Sequence, residues 1–497
     1  MNKKFYITTP LYYVNASPHI GHSYTTIAAD ALARHMRSAI GDDNVWLLTG
    51  TDEHGQKIQR AAEAQKLEPG QFADKTVSIF KGLWKELNIS YNDFIRTTEE
   101  RHTGFVKRAL EILHNKGDIY EAKYEGWYCT PCETFWTEKQ AEEGLCPDCK
   151  RPVEKITETN YFFKLSQYQD WLAGYIKGHP DFILPDIRRN EVLSFLELNK
   201  LTDLCISRPK ERMSWGIPLS FSPQHVTYVW FDALINYISA VGSFDADGKY
   251  SSRWWPADLH LIGKDILRQH AVYWPIMLKA LGIEPPKSIF AHGWWMIDEN
   301  KMSKSRGNVV NPIDMVNKFG IDVYRYFLLR DIPFGGDGNF SEEAIIKRFN
   351  SDLANDLGNL IYRTLTMIEK YFQGEIPERG APDEQGRKIE DKIKSLSEEV
   401  SLAMAIPNFS FALEHTWILI GMANKYIEDT KPWNLAKENK ADELKTFIRL
   451  LVDVIREVAG QIAPFMPKTA ALIREQIGSD KIKKGNPLFP RIDKTAP

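Results

Sequence analysis

A chain of 497 residues with 43% apolar residues is long enough for about three domains of roughly 150 residues and holds the material for ordinary cores. A formal charge of −3 excludes a globally basic nucleic-acid binder, so any contact with RNA must be a local patch. There is no apolar run of about 18 residues, and Met1-Asn2-Lys3-Lys4-Phe5 leads into a polar, Tyr-rich strand rather than a secretion signal, which predicts a soluble, cytoplasmic protein. Five cysteines, four of them in close pairs, fit a reducing compartment and suggest metal before disulfide.

The chain opens with a strand predicted over 5–9, a helix over 24–40 and a strand over 45–50, the βαβ start of a parallel sheet. Between the first strand and the helix lies Pro18-His19-Ile20-Gly21-His22. Unpaired N–H groups and the positive dipole end at a helix N-terminus favour an anion. Gly21 leaves the backbone open to a base or ribose, and His19 and His22, three apart, share a face from which two imidazoles can donate to a phosphate. On these residues alone, an i,i+3 metal pair and two capping histidines stand beside that reading. No G-x-G-x-x-G follows the strand, so a mononucleotide is expected rather than a dinucleotide. The second strand ends in Thr51-Asp52-Glu53-His54-Gly55, which sets a carboxylate at the carboxyl edge of the sheet, with a helix N-cap as the competing reading.

Helical patterns run over 71–87 and 99–115. From Ile119 to about Gln224 the chain becomes rich in Tyr, Trp, Pro and short strand-like runs and holds all five cysteines, the texture of an insertion that splits the nucleotide fold. Cys129-x-x-Cys132 and Cys146-x-x-Cys149, thirteen residues apart, bring two thiolate pairs onto two turns, the tetrahedral sulfur set that zinc prefers. A redox site is the alternative. Four ligands leave no open position, so this metal is structural. Cys205 reads as a small core residue.

The sheet is expected to resume with Val226-Thr227-Tyr228-Val229-Trp230-Phe231-Asp232-Ala233, with Tyr237 on the helix that follows. A strand over 259–262 then enters Gly263-Lys264-Asp265-Ile266 and a helix carrying His270 and Trp274, where Asp265 can accept hydrogen bonds from ribose hydroxyls. A third strand over 288–297 contains His292 and leads through Asp298-Glu299-Asn300 to Lys301-Met302-Ser303-Lys304-Ser305-Arg306-Gly307-Asn308. By itself such a charge run is a solvated loop. Beyond Asn311-Pro312 the chain turns helical, and Phe447, Leu450, Leu451, Val454, Ile455, Val458 and Ile462 form the apolar stripe of a bundle helix. The stretch 374–385 reads as a surface loop.

Taken together, His19-Ile20-Gly21-His22 and Lys301-Met302-Ser303-Lys304-Ser305 resemble the two signatures of class I aminoacyl-tRNA synthetases. Pro10-Leu11-Tyr12-Tyr13-Val14-Asn15, Thr51 to Gly55, the cysteine knuckle, Tyr228 to Ala233, Gly263 to Ile266, Asn359-Leu360-Ile361-Tyr362-Arg363 and Pro432-Trp433 resemble the methionyl-tRNA synthetase family in particular. The resemblance implies an α/β fold: a Rossmann-like parallel sheet split by a zinc-containing connective insertion and followed by an all-α helix bundle. It divides the chain into a first catalytic half (1–117), the insertion (118–225), a second catalytic half with the lysine loop (226–325), a stem-contact linker (326–355) and an anticodon-binding bundle (356–497).

The implied activity is ATP-dependent activation of methionine to methionyl-adenylate, with release of pyrophosphate and transfer to the terminal adenosine of tRNA(Met), initiator tRNA included. By resemblance His19, His22, Lys301 and Lys304 are catalytic, and Asn15, Gly21, Gly263, Asp265, His270 and Lys304 contact ATP. The methionine pocket falls to Leu11, Tyr13, Asp52, Trp230, Ala233, Tyr237 and His292, residues that composition alone would assign to an aromatic core cluster. Asn359, Arg363 and Trp433 are implied to read the anticodon, although a Trp after Pro at a helix end is commonly packing. The implied cofactors are ATP with Mg2+ and one structural Zn2+ held by Cys129, Cys132, Cys146 and Cys149, and the partners are tRNA(Met), methionine and ATP, with no membrane. The family often carries a C-terminal RNA-binding or dimerising module, and its absence from this sequence leads to the expectation of a monomer.

Two other readings share parts of this pattern. A synthetase for leucine, valine or isoleucine would need a larger editing insertion than the roughly 105 residues between the two halves. An inactive zinc-containing RNA-binding relative would not need intact phosphate motifs.

Overall fold

The computed structural model describes residues 4–129, 134–136, 141–147, 149–297, 300–301 and 310–492. The chain forms two compact units, one of Met1–Ala29, Ile40–Lys85 and Ile89–His292, the other of Asp30–Ala39, Glu86–Asn88 and Gly293–Pro497.

The first unit is built on a six-stranded parallel sheet. Its strands are β1 (Phe5–Tyr13), β2 (Val45–Asp52), β3 (Asp93–Arg96), β4 (Ile183–Leu184), β5 (Leu259–Gly263) and β6 (Ile289–His292), in the spatial order β3-β2-β1-β5-β6-β4. Helices cover both faces, so the strands are nearly continuous apolar runs, as in Ile7, Leu47, Leu48, Leu261, Ile262 and Ile289, all fully buried. β1 runs four residues past the predicted Thr9 because it tolerates an irregularity: the register with β2 shifts between Thr8 and Leu11, where Pro10 has no N–H for the ladder. Ile7 pairs with Leu259 and Thr8 with His260, so the two halves of the sequence meet at the β1/β5 seam, where the strand order reverses.

Two expectations need correction. The stretch 226–233 does not rejoin the parallel sheet. Ser222–Thr227 pairs antiparallel with Pro218–Leu219 and Ser207–Pro209, and Val229–Ser239 is helix α2. Phe231, Leu234, Ile235 and Ile238 are buried at three- and four-residue spacing, and that apolar face outweighs the strand preference of Val, Tyr and Trp. The run 288–297 is also broken. β6 ends at His292, and Trp295–Ile297 joins Asn300–Lys301 and Gly338–Asn339 in a small sheet of the second unit. Gly293 lies at the break, where a Cβ would fall 2.1 Å from the Gly336 carbonyl oxygen.

The region 118–225 holds a four-stranded antiparallel sheet (Thr134–Trp136, Ile119–Cys129, Glu154–Phe163, Leu204–Cys205) and helices Gln169–Gly178 and Asp186–Leu198. Between those helices β4 sits at the edge of the parallel sheet against β6, which stitches this region into the main core.

The second unit is mainly helical. The apolar stripe from Phe447 to Val458 on helix Ala441–Gln461 is buried throughout. Arg325, fully buried, pairs with Asp30 at 2.7 Å and donates to the carbonyls of Phe465, Leu87 and Pro464. Among the described residues no helix is long and apolar enough to cross a membrane.

Candidate active site at the carboxyl edge of the sheet

Open parallel sheets bind ligands outside the carboxyl ends of their strands, where the strand order reverses. Here Tyr13 and Asp52 lie in register at the ends of β1 and β2, and Gly263 and His292 at the ends of β5 and β6. Helix α1 (Ile20–Ile40) starts just after β1. One edge therefore gathers Leu11, Tyr13, Asp52, Gly263, His292 and the histidine motif. Asn15 and Asp265 are exposed there, Asp265 in the turn directly after β5.

The helix begins four residues earlier than predicted because its histidines cap it. The His19 Nδ1 accepts the Gly21 N–H at 3.1 Å, and the His22 Nδ1 accepts the His19 N–H at 3.0 Å. This is the reciprocal bonding of a capping box, with imidazoles in place of Ser and Glu. The rings lie 3.9 Å apart, centroid to centroid, and a Cβ on Gly21 would come within 2.9 Å of the His19 ring. A neutral imidazole that accepts at Nδ1 carries its proton on Nε2. Capping and phosphate binding are therefore compatible: the backbone bonds hold both rings in the tautomer whose Nε2 is a donor.

Asp52, Glu53 and His54 are all buried and serve different ends. Glu53 takes a two-pronged bond from Arg96, at 2.7 and 2.8 Å, and hydrogen bonds from Thr51 and Thr98. The His54 Nδ1 meets the Asp232 Oδ2 on α2 at 2.9 Å. The N-cap reading of this stretch fails, since Gly55, with φ 110°, occupies the cap of helix Gln56–Ala64. Burial would raise the Asp232 carboxyl, but the charge and hydrogen bond of His54 and the nearby His102 bring it below its ordinary value. Its Oδ1 lies 3.7 Å from the His102 Nε2. This ties α2, which carries half-buried Trp230 and buried Ala233 and Tyr237, to the segment that starts at Asp52.

His270, for which a contact with ATP is expected, is a buried residue with two hydrogen bonds. It is 2% exposed, its Nδ1 bonds the Ile266 carbonyl at 2.9 Å, and its Nε2 meets the Tyr237 Oη at 2.7 Å. Burial pushes its pKa down to about 4, so the ring is neutral and accepts the Tyr237 proton. His260 is similar: its Nδ1 meets the Thr8 Oγ1 at 2.7 Å, its Nε2 accepts from Trp274 at 3.1 Å, and burial holds its pKa well below the ordinary value. Nothing in the spacing of these histidines distinguishes them from His19 and His22.

In the knuckle the Sγ atoms of Cys129, Cys146 and Cys149 lie within 4.8 Å of one another. Cys129 and Cys149 are 3.5 Å apart, far beyond a disulfide bond and close to the roughly 3.8 Å edge of a tetrahedron with zinc–sulfur bonds of about 2.3 Å. Cys132 lies outside the described residues. The set fits zinc. Cys205 is buried as expected, with the Arg208 guanidinium 3.2 Å from its sulfur.

Lys304 lies outside the described residues, and of Lys301 only the strand position beside Met296 is described. In the second unit Asn359 and Trp433 are exposed and Arg363 is half-buried, one turn beyond Asn359 on helix Asn359–Phe372. Sequence reasoning gave no individual role to Thr25, His54, His102 or Asp232, although His54 and Asp232 lie in stretches that carry the resemblance. A lone carboxylate inside an apolar helical face was the only available signal, and it pointed to Asp232 alone.

Residues 5–156 and 151–365 match the family model described as tRNA synthetases class I (M), so the sheet and its edge are those of a class I tRNA synthetase. Residues 376–488 match the anticodon-binding domain of methionyl tRNA ligase. The methionine–tRNA ligases of Clostridium acetobutylicum and Clostridium tetani are 50% and 51% identical over 99% of this chain, which spans 78% and 79% of their lengths. The structure of the Mycobacterium tuberculosis methionyl-tRNA synthetase in complex with methionyl-adenylate superposes with a TM-score of 0.93 at 40% identity, covering 98% of this chain and all of that one. The chain belongs to the methionyl-tRNA ligase family.

Proposed function

We propose that this chain is an ATP-dependent methionine–tRNA ligase whose chemistry takes place at the carboxyl edge around the β1/β5 seam. A carboxylate oxygen of methionine attacks the α-phosphorus of ATP, the bond to the β-phosphate breaks and pyrophosphate leaves. A ribose hydroxyl of the terminal adenosine of tRNA(Met) then attacks the methionyl carbonyl carbon, and AMP leaves. The observation that carries this reading is the pair of imidazoles held through Nδ1 by backbone N–H groups at the start of α1, directly after β1.

Negative charge grows on the phosphate oxygens in the first transition state, and donors already in place lower its energy without reorganising. His19 and His22 supply two such donors. Lys301 and Lys304 neutralise the departing pyrophosphate, Mg2+ accompanies the ATP, and Asn15, Gly21, Gly263 and Asp265 receive the nucleoside. Asp52 pairs with the α-ammonium of methionine. Leu11, Tyr13, Trp230, Ala233, Tyr237 and His292 surround the thioether, whose contacts with aromatic edges contribute about 0.3–1.5 kcal/mol each. Tyr237 gives its proton to His270, so it meets sulfur through its ring and oxygen lone pairs rather than as a donor.

Asn359 and Arg363 read base edges of the anticodon and exposed Trp433 stacks on a base. Cys129, Cys132, Cys146 and Cys149 hold one Zn2+, which would fix the knuckle and takes no part in the reaction. The division at 117, 225, 325 and 355 into catalytic halves, insertion, linker and bundle and a cytoplasmic setting complete the proposal. The test is ATP–pyrophosphate exchange with each of the twenty amino acids. Exchange with methionine alone is expected, and exchange driven by leucine, valine or isoleucine, or by none, overturns the reading.

A further inference from the structure

We propose that Asp232 is a positioning residue that sets the distance between the two ends of the methionine site, and with it the length of side chain the site accepts. The inference rests on the reading of the carboxyl edge as the place of methionine activation. In that reading Asp52 receives the α-ammonium, and Trp230, Ala233 and Tyr237 of α2 lie around the thioether.

Successive residues of an α-helix turn through about 100°, so positions three, four and seven apart share a face. Trp230, Ala233 and Tyr237 share one face of α2, and Asp232, Asn236 and Ser239 share a second, polar face about a third of a turn away. All three polar residues are buried, so each needs partners inside the protein. An ionised carboxylate only accepts, so the His54 Nδ1, 2.9 Å from the Asp232 Oδ2, carries a proton. His102, on helix Glu100–Asn115, spans two turns of α2: its Nε2 lies 3.7 Å from the Asp232 Oδ1 and its Nδ1 2.8 Å from the Ser239 Oγ. With the proton on Nε2, the Nδ1 accepts from the Ser239 hydroxyl.

His54 is held from another side as well. The Trp215 ring lies 5.5 Å from it, centroid to centroid, the Trp215 indole donates to the Glu53 carbonyl at 2.5 Å, and the Trp215 carbonyl accepts the Gly55 N–H at 3.2 Å. Asp52, two residues before His54, is fixed in register with Tyr13 at the end of the sheet. The contact of Asp232 with His54 therefore joins a braced segment, which starts at the partner of the ammonium, to the helix that lines the thioether. A binding residue is only as well placed as the bonds behind it, so removing this contact lets α2 shift against Asp52.

The test is steady-state pyrophosphate exchange with methionine and with ethionine, its S-ethyl analogue, for Asp232→Ala and Asp232→Asn. The Asn amide oxygen still accepts from His54, and its N–H meets the other tautomer of His102. Asp232→Ala is expected to raise the KM for methionine about tenfold, with the KM for ATP within about twofold. A pocket of fixed depth rejects one extra methylene by roughly 10–200-fold, and the kcat/KM preference for methionine over ethionine is expected to fall about tenfold in Asp232→Ala. Asp232→Asn is expected to keep both quantities within about threefold of wild type. An unchanged KM for methionine, equal rises for methionine and ATP, an unchanged preference over ethionine, or an Asp232→Asn enzyme as impaired as Asp232→Ala each overturn the assignment. A merely structural role would lower the melting temperature and leave the preference between the two amino acids alone. Should Asp232→Ala not fold, His54→Ala is measured against the same criteria. Failure of the wild-type chain to exchange with methionine would instead overturn the functional reading itself.

Discussion

At the sheet edge of the first unit, buried polar groups come as short chains between elements: His54 to Asp232, Tyr237 to His270, Thr8 to His260 to Trp274, and Thr25 to His292. In the second unit the stripe from Phe447 to Val458 is wholly apolar, and the deepest charge is the Arg325 guanidinium, closed on itself by Asp30 and three carbonyls. The polar chains at the edge include residues proposed to meet ligand, whereas the buried ion pair joins helices of the second unit. Substitutions at the edge should therefore register in kinetics first, and those in the helical unit in stability first.

The comparison is broken most easily at Arg325. Removing one partner of a buried pair leaves an uncompensated charge and costs about 3–5 kcal/mol. Arg325→Leu is expected to lower unfolding free energy by that order in a urea titration, while the KM for methionine, measured well below the new transition, stays within about twofold. A tenfold or greater change in KM at full folding would erase the distinction between the two regions.

A smaller effect sharpens it from the other side. The folded-state pKa of His270 is pushed down to about 4 from an ordinary 6.5, and that of His260 also lies well below 6.5, both chiefly by burial. Above 6.5 neither state holds the extra proton and this contribution to stability is complete. As pH falls below 6.5 only the unfolded chain binds it, so stability is lost toward the folded value, at about 1.4 kcal/mol per pH unit for each proton. Thermal unfolding should shift to lower temperature between pH 7 and pH 5, and His270→Phe should flatten that slope. An identical slope in the variant would contradict the burial account.

Local patterns were legible in the sequence. The start of the βαβ unit, the cysteine spacing and the apolar stripe of helix Ala441–Gln461 all rest on signals within a few residues. Long-range pairing was not. That β1 would lie against β5, or that Ile183–Leu184 inside the insertion would complete the sheet, depends on register and core packing that periodicity does not carry. The misplacement of 226–233 has the same origin, since a run rich in β-branched and aromatic residues reads as a strand until its buried face is known. Nor did spacing show that His270 would bond the Tyr237 hydroxyl, because a histidine near a phosphate-like turn and a histidine holding a tyrosine in the core are the same letter.

The central claim is that the imidazoles of His19 and His22 are locked by backbone bonds at Nδ1 so that each Nε2–H faces the transferring phosphate. The direct measurement is kcat for methionine-dependent pyrophosphate exchange in His22→Asn, whose amide oxygen can still cap the His19 N–H but whose short side chain lacks the outward donor, beside His22→Gln, which extends a donor toward the Nε2 position. A fall of about 100-fold or more in His22→Asn, with an unchanged melting temperature and partial recovery in His22→Gln, is the predicted result. A His22→Asn enzyme with wild-type kcat would contradict the account.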